Sequence, residues 1–152
     1  MKVILVPVDF SDVTDAVVAT AGHLARGFNA SLRLIHVAPG EPEFIGYEPG
    51  PQTVRDHVAQ DHRDEHRRLQ AIGEKLKQDG FQATTLLVQG QPPEKILHEA
   101  HRAAADLIVM GSHGHGALYH LVLGSVSDAV LRKAPCPVLL VPSAQAESRE
   151  DT

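Results

Sequence analysis

Five short runs of aliphatic and β-branched residues alternate with helical stretches, and this alternation constrains the fold more than any other feature. The runs are Val3 to Val8, Ser31 to Val37, Ala83 to Val88, Asp106 to Met110, and Val138 to Val141. Several are almost continuously apolar, as expected of strands covered on both faces. The order βαβαβαβαβ implies a parallel sheet with helices on both sides. A chain of 152 residues suits one such domain with a full core.

The helical stretches carry their own punctuation. A first helix is expected to start near Ser11, a good N-cap residue. Val17, Val18, Ala21, Leu24, Ala25 and Phe28 recur at helical spacing, and Gly27 and Asn29 mark the end. A second runs from about Thr53 to Asp79, with Thr53 and Asp56 as a start resembling a capping box and Gly80 as the C′ residue. Its apolar stripe is broken. Val54 and Val58 lie early, Leu69, Ile72 and Leu76 late, and Gln60 to Arg68 contains no apolar residue. The later half is expected on the sheet and the middle in solvent. A third helix follows Gly90 and Pro92-Pro93, with Ile96, Leu97, Ala100 and Ala104 facing inward; proline fits a first helical turn. A fourth runs from about Ser125 to Arg132. Ala38 to Gln52, with four prolines and three glycines, is a long loop, a lid or a plain connector. Residues 143–152 form a polar tail, expected to be disordered.

Composition narrows the function classes. A formal charge of -5 argues against broad nucleic-acid binding and a polybasic membrane anchor. No apolar run approaches the ~20 residues of a membrane span. The opening Met1-Lys2-Val3-Ile4-Leu5-Val6 enters a strand at once and lacks the pattern of a signal peptide. One cysteine, Cys136, excludes an intramolecular disulfide and a multi-cysteine metal site. A cytoplasmic protein is the simplest expectation.

The chemistry concentrates between the fourth run and the fourth helix. Gly111-Ser112-His113-Gly114 is followed, after nine residues, by Gly124-Ser125. Glycines between a strand and a helix start let backbone N–H groups approach an anion. Gly-x2-Gly-x9-Gly-Ser is not a Walker A loop, because no lysine follows its glycines. Nor is it a dinucleotide fingerprint, because Pro7-Val8-Asp9-Phe10-Ser11 after the first strand has no glycine. In open parallel sheets ligands sit at the carboxyl ends of the strands. Pro7, Val8 and Asp9 end the first strand, Val37 the second, and Met110 and Gly111 the fourth.

These residues resemble the ATP-binding branch of the universal stress protein family. The likeness runs from Ile4-Leu5-Val6-Pro7-Val8-Asp9 through Leu34-Ile35-His36-Val37, Gly90-Gln91-Pro92 and Asp106 to Gly114, and on to Pro135-Cys136-Pro137-Val138-Leu139-Leu140-Val141-Pro142. The family's nucleotide motif is met at Gly111, Gly114, Gly124 and Ser125. The resemblance implies a three-layer αβα sandwich, flavodoxin- or Rossmann-like, over residues 1–142, with a five-stranded parallel sheet in the order 3-2-1-4-5. It implies ATP, with ADP or AMP as alternatives, between strands one and four. Pro7, Val8 and Asp9 would line the nucleoside, with Asp9 near the ribose or a bound Mg2+ or Mn2+. Val37 would meet adenine, and Met110 and Gly111 would flank the ribose. Gly114, Gly124, Ser125 and Val126 would cradle phosphates. The family also implies a homodimer, or a higher oligomer, through the strand at 138–141, an apolar edge without a guarding charge.

Other residues invite competing readings. His113 or His115 in the glycine loop is a candidate phosphate contact, stronger when protonated; exposed loop histidines, His120 included, are the plain alternative. His62 and His66 stand four apart, but Arg63 occupies the place of a zincin glutamate, so a solvated face is expected. His98 and His101 are read alike. His36 is expected to be packed or hydrogen-bonded, and Cys136 to be a small buried hydrophobe. No catalytic residue is assigned, because the loop offers neither lysine nor arginine to neutralise charge. The expected function is a stress or signalling module that holds ATP and whose nucleotide state changes partner binding. A weak metal-dependent ATPase using Asp9 is the alternative. A phosphoacceptor switch is disfavoured because Val88-Gln89-Gly90 lacks an aspartate, and a flavin or dinucleotide protein is similarly disfavoured.

Overall fold

The computed structural model describes residues 1–40, 52–113 and 123–143, with the side chains of 52–55 excepted. Five strands and four helices follow in the order β1 (Val3–Pro7), α1 (Thr14–Phe28), β2 (Ser31–Ala38), α2 (Gln52–Gln78), β3 (Ala83–Gln89), α3 (Pro92–Arg102), β4 (Leu107–Gly111), α4 (Ser125–Lys133) and β5 (Val138–Val141). All pairings are parallel, and the sheet order is β3-β2-β1-β4-β5. The expected fold class and strand order are therefore observed. No helix among the described residues is long and apolar enough to cross a membrane.

Alternation along the strands splits the core in two. Ile4, Val6, Leu32 and Leu34 turn towards α1 and α2, where they meet Val17, Ala21 and Leu69. Leu5, Ile35, Ile108 and Met110 turn to the other face, against Ile96, Ala100 and Val130 of α3 and α4. This explains the continuous apolar runs of β1 and β4, which are buried on both sides, whereas the edge strands β3 and β5 are partly exposed.

Helix boundaries depart from expectation in instructive places. Ser11 does not cap α1. Its N–H is held by Asp9 Oδ1 at 2.9 Å, its carbonyl accepts Thr14 N–H at 3.1 Å, and the helix begins three residues later. Val13 occupies the N-cap position and has no side-chain oxygen to offer. Phe28 leaves the apolar stripe and is 55% exposed, since the chain turns at Asn29 with φ 53°. Ala104 likewise lies beyond the end of α3, exposed and with φ 48°. Gly80, with φ 91°, ends the α2 stretch as expected. Helix α2 starts at Gln52, and the side chain of Thr53 falls outside the described residues.

The middle of α2 is exposed in most positions yet is tied to the sheet by polar groups. The Glu65 carboxylate lies 3.2 Å from His36 Nε2. Arg68 stacks its guanidinium 4.4 Å from the Phe10 ring centroid, and His62 Nδ1 meets Gln89 Nε2 at 2.9 Å. The expectation of a simply solvated middle is therefore corrected, because side chains that are polar at the tip reach the strand ends without contributing an apolar stripe. His66, His98 and His101 are exposed.

On the opposite face Glu99 of α3 is buried and bonded to Arg33 of β2 and Arg102. Asp106 precedes β4 rather than belonging to it. Its Oδ2 accepts the N–H groups of Lys2 and Val3 at 2.7 and 3.0 Å, fixing β4 beside β1.

Candidate functional site

The carboxyl ends of β1 and β4 diverge into a cavity of about 380 Å3, within the range of small-molecule sites. Pro7, Val8, Asp9, Val37, Met110, Gly111, His113, Gly124, Ser125 and Val126 all line it. Each is a residue that the sequence nominated. Gly114, with His115 and His120, lies outside the described residues, as do 41–51 and 144–152.

The cavity has an apolar side and a polar side. Ile35 and Val37 from β2, Ile96 from α3 and Met110 from β4 form the apolar side. The polar side is made by the start of α4. Gly124 is its N-cap, extended at φ −60° and ψ 152°, with no side-chain cap bond. Uncapped N–H groups and the positive end of the helix dipole favour an anion there. Gly124 N–H donates to the Ser112 carbonyl at 2.9 Å, and Ser112 N–H to Val141 at 2.9 Å. The two ends of the glycine segment are thus pinned together and to β5.

Ser127 was not nominated by the sequence. It is 3% exposed, lines the cavity, and donates its hydroxyl to the Gly111 carbonyl at 2.8 Å. That bond ties α4 to the end of β4 across sixteen residues, too far for a local pattern to reveal. Val13, Thr14, Val17 and Pro92 complete the wall. Gly111 has a reason to be glycine: a Cβ there would stand 2.7 Å from Val13 Cγ1 and 3.1 Å from the His113 carbonyl.

Asp9 is exposed at the wall, with Oδ1 accepting Ser11 N–H. Among the described residues no group of three histidine, cysteine or acidic side chains could hold a metal. No lysine or arginine lines the described wall. His113 is half-buried, and its Nδ1 lies 3.0 Å from Ser112 Oγ.

His36 buttresses the wall from behind. Its Nδ1 lies 2.8 Å from the Val8 carbonyl, which only accepts, so that nitrogen carries the hydrogen. Nε2 then faces the Glu65 carboxylate without hydrogen-bond alignment. The Phe10 ring, held at φ 59°, covers the imidazole at 4.5 Å between centroids. The reading of His36 as hydrogen-bonded and packed agrees with this arrangement. Cys136 is only partly buried, against the α3–α4 core. Burial, then the Asp106 carboxylate, push its thiol up.

Comparison with known proteins gives the chain a context. Residues 1–142 match the family model described as the universal stress protein family. A universal stress protein of Thermus aquaticus is 38% identical over 92% of this chain and 98% of its own length. The universal stress protein YxiE of Bacillus subtilis is 34% identical over 90% and 96%. Among solved structures, the hypothetical protein MJ0577 of Methanocaldococcus jannaschii superposes with a TM-score of 0.79 at 29% identity, over 93% of this chain and 95% of that one.

Proposed function

The chain belongs to the universal stress protein family, and from that premise we propose that its β1–β4 cavity binds an adenine nucleotide, ATP by preference, as a stress or signalling module. One observation carries this: the uncapped start of α4 and the apolar pocket of Ile35, Val37 and Met110 open into the same cavity. The apolar side suits a purine. Asp9 and Met110 suit a ribose between them. Gly124, Ser125 and Val126 present N–H groups to phosphates, with Gly114 and His113 completing the cradle. A universal stress protein solved with cAMP and one from Archaeoglobus fulgidus solved with dAMP share the fold at 23% and 22% identity; those ligands are properties of those proteins.

Holding rather than hydrolysing the nucleotide fits a described wall without lysine or arginine. ATP should bind in the micromolar range or tighter, with turnover absent or very slow. Isothermal titration with ATP, ADP and AMP tests it, and failure of all three to bind refutes it. The Asp9 carboxylate on the wall favours the ATPase as second reading; phosphate release above background, lost in Asp9→Ala, would establish it. Mg2+ or Mn2+ would accompany the nucleotide in either case. Residues 1–142 are the nucleotide-binding domain in this proposal, in a cytoplasmic protein. The free side of β5, where Leu139 is 38% exposed, is the proposed homodimer edge, to be tested by sedimentation of wild type against Leu139→Lys.

A further inference from the structure

We propose that the Thr14 hydroxyl, at the start of α1, is a second binding group for the phosphoryl chain of a nucleoside polyphosphate, so that two helix starts serve one ligand. This rests on the nucleotide reading above but uses a residue outside the glycine motif.

Thr14 lines the cavity and is 7% exposed, and its Oγ1 is buried with no hydrogen-bond partner. Buried hydroxyls are ordinarily paired, so an orphan on a cavity wall asks for an explanation. The same helix shows the ordinary solution: Thr20 donates to the Ala16 carbonyl, one turn back, at 2.7 Å. Thr14 lacks that outlet. One turn back the chain is no longer helical, because Phe10 is at φ 59°. The Ser11 carbonyl accepts the N–H of Thr14 itself, and the hydroxyl makes no bond to it. Ser11 Oγ is also buried and unpaired, so two hydroxyls at this helix start lack partners.

The helix start offers an anion a positive dipole end, which the carboxylates of Asp9 on the wall and Asp15 in the first turn partly offset. Helix α1 is fifteen residues long, and its N-cap, Val13, makes no side-chain bond to the first turn. The start of α1 therefore keeps the positive end of its dipole without an N-cap acceptor. Val13 abuts Gly111, which sets this helix start beside the end of β4. Rotation about χ1 exchanges the threonine hydroxyl and methyl group, a change between ordinary rotamers. Valine would fill the same volume without an unpaired oxygen. The hydroxyl is a liability in the free protein and an asset once a phosphoryl oxygen accepts from it.

Thr14→Val and Thr14→Ser test this against wild type by titration with ATP, adenosine and inorganic tripolyphosphate, and by melting without ligand. Thr14→Val should melt no lower than wild type and lose about tenfold in affinity for ATP and tripolyphosphate. Adenosine binding should stay within about twofold, and Thr14→Ser should retain ATP affinity. An equal loss for adenosine, unchanged ATP affinity, or a lower melting temperature of Thr14→Val overturns the proposal. Tripolyphosphate binding that depends on Thr14 without ATP binding would retain the subsite and sink the nucleotide reading. If wild type takes neither, both fall.

Discussion

Replacing Gly111 by alanine probes the junction on which the cavity depends. The added Cβ would stand 2.7 Å from Val13 Cγ1, whereas carbon atoms pack best at about 3.5–4.0 Å. Val13 would have to retreat by about 0.8 Å or more. It is 4% exposed and immediately precedes α1, so a retreat moves the helix start with it. Overpacking of this kind costs about 1–3 kcal/mol. For a domain of this size, each kcal/mol lowers the melting temperature by about 2–4 °C. A fall of about 2–12 °C is therefore expected in thermal denaturation. The control is Val13→Ala, which removes the clashing methyl and alone costs about 2 kcal/mol. In the double variant the new Cβ occupies vacated space, so the two costs should fall short of additivity by about 1 kcal/mol. Calorimetry on the same proteins adds a second readout. If the backbone of Gly111 touches the nucleotide, Val13→Ala costs about 1 kcal/mol less stability in the Gly111→Ala background than on its own, and affinity is not recovered. Additive costs, or a Gly111→Ala protein that melts like wild type, would refute the reasoning.

Two further outcomes follow from polar groups on either side of the sheet. Burial pushes the Glu99 carboxyl up, but the hydrogen bond from Arg102 and the charge and hydrogen bond of Arg33 together hold it below the ordinary 4.5. A depressed carboxyl stabilises the fold above its unfolded value and loses that stabilisation as pH falls through the folded one. Urea midpoints should fall below pH 4.5, whereas Glu99→Gln should be flatter there and about 1.5–3 kcal/mol weaker at pH 7; equal acid slopes would contradict this. Glu65→Gln puts an amide in place of a carboxylate that faces His36 Nε2 without hydrogen-bond alignment. Its melting temperature should rise by about 1–6 °C if the amide N–H donates to the ring, and a fall would refute this reading of the contact.

The strands and the residues at the strand ends that line the cavity were legible because their signals are local. Period, apolar runs and glycine spacing can be read within a few residues of one another. What stayed hidden depends on partners far along the chain. Glu99 meets Arg33 across 66 residues, and Asp106 meets Val3 across 103, so nothing near either residue marks it as structural. Ser127 and Thr14 look like ordinary small residues of a first turn until the other side of the cavity is present. Local pattern also overran its limits. Phe28 and Ala104 continue a helical stripe in sequence, but a left-handed residue turns the chain immediately after the first and at the second. The polar middle of α2 was misread for a related reason: its ties to the strand ends run through charge and aromatic faces, which hydrophobic periodicity does not register.

The pairing of β1 with both β2 and β4 sets an order in time. Register across β1 and β2 joins residues such as Pro7 and Ile35, 28 positions apart, whereas the clamp from Asp106 to Lys2 spans 104. Closing the longer loop is the slower entropic step, and contacts of that range dominate folding rates. A nascent chain can assemble β1, β2 and β3 while β4 is still unmade. The β1–β4 cleft therefore completes last, after most of the sheet is in place. A molecule caught before that moment would lack Leu107 and Val109 from one core and Ile108 and Met110 from the other, and would have no place for a ligand. Ligand added during refolding should thus act on the final docking of β4 and leave the earlier collapse unchanged.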